Sequence, residues 1–282
     1  MQIRLDNVSY IYQHGSPLAL AAIRDIDLFI PSGQFVVLLG HSGCGKSTLA
    51  QVITGLLEPQ KGRVEIDSQA KEKDHIFKRV GLVFQYSEQQ FFAETVHEEV
   101  AFAAKNMGLP QQKITETVES SLQKVGLNPE LFADRSPFNL SGGEKRRVAA
   151  ASVLAMQPDV LIFDEPTAGL DANGRDWMCR LAKSEHRAGT TIIWITHNMD
   201  EAAMLAERIL VMNNGSIALD GSPRQVFAQE ELLASLGLEV PVAAALLRKL
   251  RMRNFPVPAQ GLSVEEAFRE INQALLQRGD RP

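Results

Sequence analysis

The sequence predicts an α/β fold built around a mainly parallel sheet. Four continuous apolar runs indicate strands that are covered on both faces, at residues 35–39, 80–84, 160–163 and 191–195. Helical patterns lie between these runs, and each run ends in a glycine-rich loop or in polar residues. Ligands bind beyond the carboxyl ends of the strands in an open parallel sheet. The four strand ends are therefore expected to meet at one site.

The N-terminal region predicts an antiparallel β subdomain. Residues 3–12 and 23–30 alternate between apolar and polar side chains, and residues 62–67 are a candidate third strand. Ser32 and Gly33 separate this region from the first apolar run.

Residues 86–156 predict a helical subdomain inserted between sheet strands. Thr95 and Glu98 have the spacing of a capping box, which starts a helix. Helical periodicity follows at residues 113–125 and 144–156.

The C-terminal part predicts an appendage. A helix, a strand at residues 208–212 and a hairpin follow the last apolar run. From about Glu230 the pattern changes to short helices separated by prolines. The chain is thus expected to comprise a main domain of residues 1–228 and a helical appendage of residues 229–282.

Composition narrows the class of protein. The chain has 282 residues with 34 acidic and 29 basic side chains, and its net charge of −5 gives no electrostatic reason to expect a nucleic-acid partner. Its two cysteines, Cys44 and Cys179, are too few for a disulfide framework and fit a reducing compartment such as the cytoplasm. The N-terminus lacks a signal-peptide pattern, and no apolar run is long enough to span a bilayer, so any membrane role is expected to act through a partner.

The first strand end carries a glycine-rich loop of the pattern G-x-x-x-x-G-K-[ST], followed by a helix predicted at residues 48–56. Small residues let backbone N–H groups wrap phosphate groups, and the helix N-terminus favours their charge. Lys46 is expected to contact the β- and γ-phosphates of ATP, and Ser47 to ligate Mg²⁺. His41 and Cys44 occupy variable positions and are assigned no chemistry. The nucleotide-binding candidates of this phosphate loop are Gly40, His41, Ser42, Gly43, Cys44, Gly45, Lys46, Ser47 and Thr48.

Two acidic residues follow the third apolar run. Asp164, at a buried strand end, is expected to hold the metal through its water shell, and Glu165 to polarise an attacking water. A strand that ends in Asp-Glu is weak evidence alone, because a turn also favours aspartate. Together with the phosphate loop it becomes a strong indication.

The segment LSGGE, from Leu140 to Glu144, opens the third helix of the helical subdomain. Ser141 and Glu144 have capping-box spacing, which alone would explain a helix start. Gly142 and Gly143 indicate a second role, because each costs a helix about 1 kcal/mol and contributes nothing to the cap. Glycines at this point let backbone amides approach an anion closely.

The sequence LSGGEKRR resembles the signature sequence of ATP-binding cassette (ABC) ATPases, and resemblance to that family covers roughly residues 3–222. It implies the phosphate-loop (P-loop) NTPase fold of an ABC ATPase. In that family the signature loop closes over a nucleotide held by a second subunit. Ser141, Gly142 and Gly143 would then contact the γ-phosphate in the partner's site, and hydrolysis would require a dimer.

Other positions match the same family. Gln85 matches the Q-loop glutamine, which reaches the metal and the attacking water, and Asp171 matches the D-loop, which crosses to the opposite site. His197 matches the switch histidine that holds the γ-phosphate. Tyr12 matches the aromatic residue on which adenine stacks, although Tyr10 is a rival and packing on the sheet is an equal alternative.

Several segments resemble the energy-coupling factor (ECF) subgroup, whose ATPases drive uptake of vitamins and of transition metals such as cobalt or nickel. The segment FQYSEQQFFAETVHEEVAFAAKNMG at residues 84–108 carries much of this resemblance. The form DEPTAGLD resembles the A-prime (second) ATPase of the two-ATPase systems, and the C-terminal appendage resembles the tail through which the two ATPases contact each other. One departure is Glu144, where many relatives have glutamine.

The resemblance implies an ATPase dependent on ATP and Mg²⁺, peripheral on the cytoplasmic face of the cell membrane. Its partners would be a sister ATPase subunit, in a heterodimer or a homodimer, a transmembrane scaffold subunit and a substrate-capture membrane subunit. Phe91 and Phe92 would line the groove that receives a short helix of the scaffold, although either ring could instead belong to the core. The transported substrate is not written in this chain, because such an ATPase never touches it.

Three alternatives remain open at this point. The chain could be the ATPase of another ABC transporter class, which would share all of these motifs. A soluble ABC protein acting on DNA or ribosomes is disfavoured, because there is a single cassette and no long insertion between the phosphate loop and the signature. A kinase outside the ABC family would leave LSGG and His197 unexplained.

Overall fold

A computed structural model of the protein describes residues 1–66, 79–85, 87–258 and 261–278. Within these residues the strands are β1 (Ile3–Tyr12), β2 (Leu20–Ile30), β3 (Phe35–Leu39), β4 (Lys61–Ile66), β5 (Val80–Val83), β6 (Val160–Asp164), β7 (Thr191–Ile195), β8 (Arg208–Asn213) and β9 (Ser216–Gly221). The helices are α1 (Lys46–Ile53), α2 (Val96–Asn106), α3 (Gln111–Lys124), α4 (Pro129–Phe132), α5 (Gly142–Leu154), α6 (Ala172–Arg187), α7 (Met199–Leu205), α8 (Pro223–Phe227), α9 (Glu230–Ser235), α10 (Val242–Met252) and α11 (Val264–Arg278).

The central sheet has the strand order β5-β6-β7-β3-β8-β9. Neighbouring strands from β5 to β8 pair in parallel, and β9 returns antiparallel to β8 through the predicted hairpin. All five residues of β3 are buried. Alternate residues of β3 belong to two different apolar cores, one on each face of the sheet. This double coverage is why the strand reads as a continuous apolar run, and it confirms the predicted α/β fold.

The N-terminal sheet is antiparallel in the order β2-β1-β4, as predicted. β2 begins at Leu20 rather than at the predicted Ile23, because Leu20 still pairs with Tyr12. The predicted end of β4 at Asp67 lies outside the described residues. The buried side chains of this sheet, among them Ile3 and Ile23, form one core with α1 and one face of the central sheet.

The helical insert consists of α2, α3, α4 and α5, between β5 and β6. Its predicted first residue, Tyr86, lies outside the described residues. The expected start of α2 is confirmed, because Thr95 Oγ1 accepts a hydrogen bond of 3.2 Å from the Glu98 N–H. Apolar residues of these helices, such as Val100 and Val148, join the core on the other face of the central sheet.

The C-terminal helices divide between two cores. Leu233 and Leu238 pack with the large core that includes the helical insert. Ala243, Leu247 and Ala267, from α10 and α11, form part of a separate small cluster. The predicted appendage also contains residues 259–260 and 279–282, which lie outside the described residues, and its boundary stays a prediction.

Candidate nucleotide-binding site

The carboxyl ends of β5, β6, β7 and β3 lie side by side, because these strands are consecutive in the sheet. Gln85 follows β5, Asp164 and Glu165 stand at the end of β6, His197 follows β7, and the phosphate loop follows β3. The structure thus brings the residues predicted at four strand ends to one edge of the sheet.

Glycine is required at two positions of the phosphate loop. Gly40 and Gly45 have φ angles of 153° and 108°, in the region that L side chains rarely adopt. A Cβ on Gly40 would lie 2.5 Å from the carbonyl oxygen of Met212, and a Cβ on Gly45 would lie 2.4 Å from that of Ala22. The loop is therefore held closely between β2 and β8, while residues 41–43 at its tip are exposed.

Lys46 is the cation of this loop, and only 8% of its surface is exposed. Its ammonium group donates to the carbonyl oxygens of Gly40 at 2.7 Å and His41 at 3.0 Å. These carbonyls offset part of the desolvation of the buried charge. A phosphate oxygen is a stronger partner than a neutral carbonyl, so the ammonium group is placed to exchange onto a bound phosphate.

His41 and Cys44 occupy positions that shape the loop. His41 Nε2 lies 3.2 Å from Asn213 Oδ1, and His41 Nδ1 lies 2.8 Å from the carbonyl oxygen of Ser42. Cys44 is buried, and desolvation raises the pKa of its thiol, so the thiol is protonated at neutral pH. Both observations agree with assigning these two residues no chemistry.

A cleft of about 530 Å³ lies beside the phosphate loop. Tyr12 lines this cleft, and its hydroxyl lies 3.2 Å from Thr48 Oγ1. Tyr10 is not among the described residues that line the cleft, and its ring instead packs edge-on against Tyr12 with the ring centroids 4.9 Å apart. The geometry therefore favours Tyr12 over Tyr10 as the surface for a bound base.

The residues at the end of β6 fit a magnesium ion. Asp164 is 8% exposed, and its Oδ1 has no hydrogen-bond partner among the described residues. Desolvation raises the pKa of this carboxyl, opposed by a hydrogen bond from Ser47 and by the charge of Lys46. A buried carboxylate oxygen without a partner is costly, and the water shell of a hard cation would satisfy it.

The other groups available as metal ligands near Asp164 also suit magnesium. In the described parts of the chain no three His, Cys, Asp or Glu side chains cluster as a metal site. Mg²⁺ keeps several of its waters and is seldom coordinated by protein groups alone. One hydroxyl, one carboxylate and the phosphates of the substrate therefore form a suitable set of ligands for it. Ser47 and Asp164 supply the first two.

Glu165 and His197 are directly paired. Glu165 Oε2 lies 2.8 Å from His197 Nδ1, and the Glu165 N–H donates to the carbonyl oxygen of Ile195 at 3.0 Å. The φ angle of Glu165 is +49°, which is uncommon for a residue other than glycine. The glutamate is largely covered and the histidine side chain is 72% exposed. A strained carboxylate held by an imidazole beside a phosphate loop can act as a general base.

Gln85 is connected to the rest of the site through Arg146 of α5. The Arg146 guanidinium donates from Nη1 to the carbonyl oxygen of Gln85 and from Nη2 to that of Ala168, the latter at 3.0 Å. Arg146 is 4% exposed. The helix that begins at the signature segment therefore contacts both the loop after β5 and the loop after β6.

The signature segment forms the predicted capping box. The Ser141 N–H donates to Glu144 Oε2 at 2.8 Å, and the Glu144 N–H donates to Ser141 Oγ at 3.4 Å. A Cβ on Gly142 or on Gly143 would meet nothing within 4 Å. No contact within the described chain therefore requires glycine at either position. The signature residues are also not among the described residues that line the cleft beside their own phosphate loop.

The other candidates lie on separate surfaces. Asp171 is exposed and caps α6, where its Oδ1 accepts from the Gly174 N–H at 2.7 Å. Phe91 packs against the large core. Phe92 is 60% exposed, and its ring packs edge-on against that of Phe102 with centroids 4.7 Å apart. Of the two phenylalanines, Phe91 is thus half-buried against the core and Phe92 is a surface residue.

Sequence reasoning missed three residues of this region. Arg146, Thr167 and Glu201 are buried next to the predicted loops. Two of them are charged residues within helices, a position that is normally exposed. A weak signal was present for Thr167, since it follows Glu165 closely in the chain.

Proteins of known class are similar in sequence to nearly the whole length of this chain. The sequence profile of the ABC transporter family matches residues 23–168. The energy-coupling factor transporter ATP-binding protein EcfA2 of Caldanaerobacter subterraneus subsp. tengcongensis is 47% identical over 278 residues, covering 96% of this chain and 96% of that protein. The protein of the same name from Clostridioides difficile is 45% identical over 286 residues, covering 99% of each.

Solved structures show the same fold. The structure of cbiO1 from Clostridium perfringens, part of the ABC transporter complex cbiONQ, matches with a TM-score of 0.71 at 34% identity and covers 89% of this chain and 94% of that one. A dimeric post-hydrolysis state of the ATP-binding cassette MJ0796, bound to ADP and Pi, matches with a TM-score of 0.69 at 29% identity and covers 79% of this chain and 99% of that one.

Among the described helices, none is both long and apolar enough to cross a bilayer. The relatives, the fold and the arrangement of the strand-end residues agree with one another. The chain belongs to the ABC transporter family, within it to the energy-coupling factor transporter ATP-binding proteins, and is an ATPase whose hydrolysis of ATP is coupled to transport.

Proposed function

We propose that this chain supplies half of a composite ATPase site and, with a sister ATPase subunit, drives an ECF-type importer. The observation that carries the proposal is the hydrogen bond between Glu165 and His197, in a site where the buried Oδ1 of the neighbouring Asp164 has no partner among the described residues. The remaining residues are assigned from the cleft or the surface on which each one lies.

Binding of ATP uses the cleft beside the phosphate loop. Backbone N–H groups of residues 40–48 and the ammonium group of Lys46 hold the β- and γ-phosphates. The ring of Tyr12 offers a stacking surface for adenine. Ser47 would hold Mg²⁺ directly and Asp164 through the water shell of the ion, and the ion would neutralise charge that develops on the phosphate oxygens.

Hydrolysis depends on proton transfer from water. Glu165 takes the proton of the attacking water, and Gln85 helps to orient that water. His197 holds Glu165 through Nδ1, which leaves Nε2 of its exposed ring available to hold the γ-phosphate. Such a constellation acts mainly by positioning and by electrostatic stabilisation.

The signature residues serve the partner's nucleotide. Gly142 and Gly143 are exposed and have no steric requirement within this chain, which supports a contact made outside it. Ser141, Gly142 and Gly143 contact the γ-phosphate bound to the sister subunit, and Asp171 crosses to the opposite site. The sister is a different ATPase in a heterodimer or a second copy in a homodimer. A related cassette, MJ0796, is dimeric with ADP and Pi bound.

Coupling to transport takes place at the helical insert. The exposed ring of Phe92 contributes to the groove that receives a short helix of a transmembrane scaffold subunit. A separate membrane subunit captures the substrate, which is a vitamin or a transition-metal ion. The ATPase then lies at the cytoplasmic face of the cell membrane as a peripheral subunit.

The test is the variant Glu165→Gln in the assembled complex. We expect ATP turnover to fall by about 10²-fold or more while ATP binding is retained, because the base is removed and the phosphate cradle is not. Steady-state phosphate release and equilibrium binding of a fluorescent ATP analogue measure the two properties. Glu119→Gln, on an exposed helical position, is the matched control. Turnover at the unmodified rate in Glu165→Gln would show that the catalytic assignment is wrong.

A further inference from the structure

A buried carboxylate next to the proposed catalytic pair has no role in the mechanism above. Glu201, in α7, is only 7% exposed. Its Oε1 accepts a hydrogen bond of 2.7 Å from Thr167 Oγ1, and its Oε2 accepts from Trp194 Nε1 at 3.2 Å and from Thr196 Oγ1 at 3.0 Å. Three donors from two stretches of the chain, the loop after β6 and the end of β7 with the residue that follows it, therefore converge on one carboxylate.

Two of these donors belong to the loops that carry Glu165 and His197. Thr167 is two residues beyond Glu165, and Thr196 directly precedes His197. Glu201 thus bridges the third residue of the loop after β6 and the first residue of the loop after β7.

The bridge is fixed by further hydrogen bonds at its α7 end. The Asn198 side chain accepts from the N–H groups of Asp200 and Glu201, which fixes the start of α7 directly after His197. The Thr196 hydroxyl also accepts from the Asn198 N–H at 3.1 Å. Hydrogen bonds to a buried carboxylate are stronger than those between neutral groups, and they constrain direction as well as distance.

We propose that Glu201 is a positioning residue for ATP hydrolysis, which sets the relative placement of Glu165 and His197 by holding Thr167 and Thr196. The inference rests on the catalytic role proposed above for that pair. Since both loops are tied to the same carboxylate, a movement of one loop is transmitted to the other.

If the hydrogen bonds to Glu201 only stabilised the fold, an experiment would give a different result than if they positioned the catalytic pair. If the carboxylate only satisfied buried donors, removing one hydroxyl would lower the stability and leave turnover of the folded protein unchanged. If it positions the pair, removing the hydroxyl of Thr167 would lower kcat in protein that is folded and binds ATP normally.

The experiment compares Thr167→Val with Thr167→Ser in the assembled complex. Valine keeps the shape of threonine and removes the hydroxyl, whereas serine keeps the hydroxyl. We expect kcat of Thr167→Val to fall about tenfold or more with the KM for ATP changed less than about twofold, because a small misplacement of reacting groups affects the chemical step. Thr167→Ser should restore kcat to within about twofold of the unmodified protein. Melting temperature and ATP-analogue binding show that each variant is folded.

Three outcomes overturn the inference. The first is a kcat of Thr167→Val equal to that of the unmodified protein. The second is a kcat of Thr167→Ser as low as that of Thr167→Val, since the hydroxyl would then not be the group that matters. The third is normal turnover in Glu165→Gln, which would remove the proposed catalytic pair itself and so is distinguished from a failure of the bridge alone.

Discussion

The carboxylate of Asp164 destabilises the folded chain for the same reason that it suits a metal site. Burial raises the pKa of this carboxyl above its ordinary value of 3.8, so the folded chain binds the proton more tightly than the unfolded chain does. The ionised form therefore lowers the free energy of unfolding at neutral pH. This destabilisation fades as the pH falls through the raised pKa and is absent well below 3.8, where the carboxyl is protonated in both states.

Asp164→Asn removes the charge and keeps the size of the side chain. Without nucleotide, we expect a higher melting temperature at neutral pH, with a difference that shrinks as the pH falls. In the assembled complex, we expect the Mg²⁺ concentration for half-maximal ATPase activity to rise about tenfold or more, because a group that orients the metal's water shell is weakened. Melting curves over pH and a Mg²⁺ titration measure the two effects. An unchanged Mg²⁺ requirement would contradict the metal assignment, and Asp134→Asn, at an exposed position, is the control.

Individual residues of the candidate site could be predicted where ATP hydrolysis requires an acidic residue or a histidine directly after a buried strand. Asp164, Glu165 and His197 each follow a buried apolar run, and the strand order brings the runs together. Arg146 and Glu201 could not be predicted in this way. Arg146 donates to the backbone carbonyl of Ala168 and Glu201 accepts from the hydroxyl of Thr167, and both partners are distant in sequence, so these contacts become visible only in the folded chain.

At the scale of elements, α5 combines two separate tasks. Its first turn is an exposed capping box at Ser141, and its next turn carries the buried guanidinium of Arg146. Ligand contacts at the exposed end would thereby be connected through one rigid helix to the carbonyls of Gln85 and Ala168. A helix suits this task because its residues keep fixed distances from one another.

The variant Gly143→Ala distinguishes a ligand contact at the start of α5 from the effect of this residue on helix stability. A Cβ at this position meets nothing within 4 Å, and alanine has the higher helix propensity. We expect the isolated chain to gain up to about 1 kcal/mol in stability and to bind ATP as before, since Gly143 does not line its own cleft.

In the assembled complex, turnover of Gly143→Ala should nevertheless fall about tenfold or more, because the methyl group obstructs the approach of an amide to the partner's phosphate. Thermal melting, ATP binding and phosphate release in the complex measure the three expectations. Full turnover in the complex would contradict a contact between the signature and the partner's nucleotide.

The ends of the elements were less predictable than their existence. α1 was expected to continue to Leu56 but ends at Ile53, because Gly55 adopts a φ of +75° that a helix cannot contain. β2 extends three residues beyond its alternating pattern because the neighbouring strand offers partners. The ends of helices and strands depend on local backbone geometry and on strand pairing, which the periodicity of apolar residues does not encode.

At the scale of the whole molecule, the helical insert connects nucleotide chemistry to a surface. The loop after β5 begins at Gln85 and leads to Phe92. Glu99 of α2 is buried, and its Oε2 accepts from the N–H groups of Phe92 at 3.1 Å and Ala93 at 3.0 Å. These bonds fix the backbone that presents Phe92, so the exposed ring is a rigid feature suited to contact with a partner.

Phe92→Ser tests that surface more sharply than a change of both phenylalanines, because Phe91 packs on the core and its loss would also weaken the fold. We expect at least about tenfold weaker association with the transmembrane scaffold, since burial of a phenylalanine ring contributes about 1.5–3 kcal/mol. ATP binding should be unchanged, because the ring does not line the cleft. Leu56→Ser, which changes an exposed apolar residue outside the helical insert, is the control.

Affinity purification of the complex in detergent, followed by quantification of the membrane subunits, measures the association of both variants. If Phe92→Ser keeps its membrane partners and Leu56→Ser loses them, the coupling surface lies outside the helical insert. Loss of the partners in Phe92→Ser alone would instead connect one continuous segment, from Gln85 to the exposed ring, with both hydrolysis and attachment. Attachment would then lie seven residues beyond Gln85 on the same stretch of the chain, which is the connection that the proposed coupling requires.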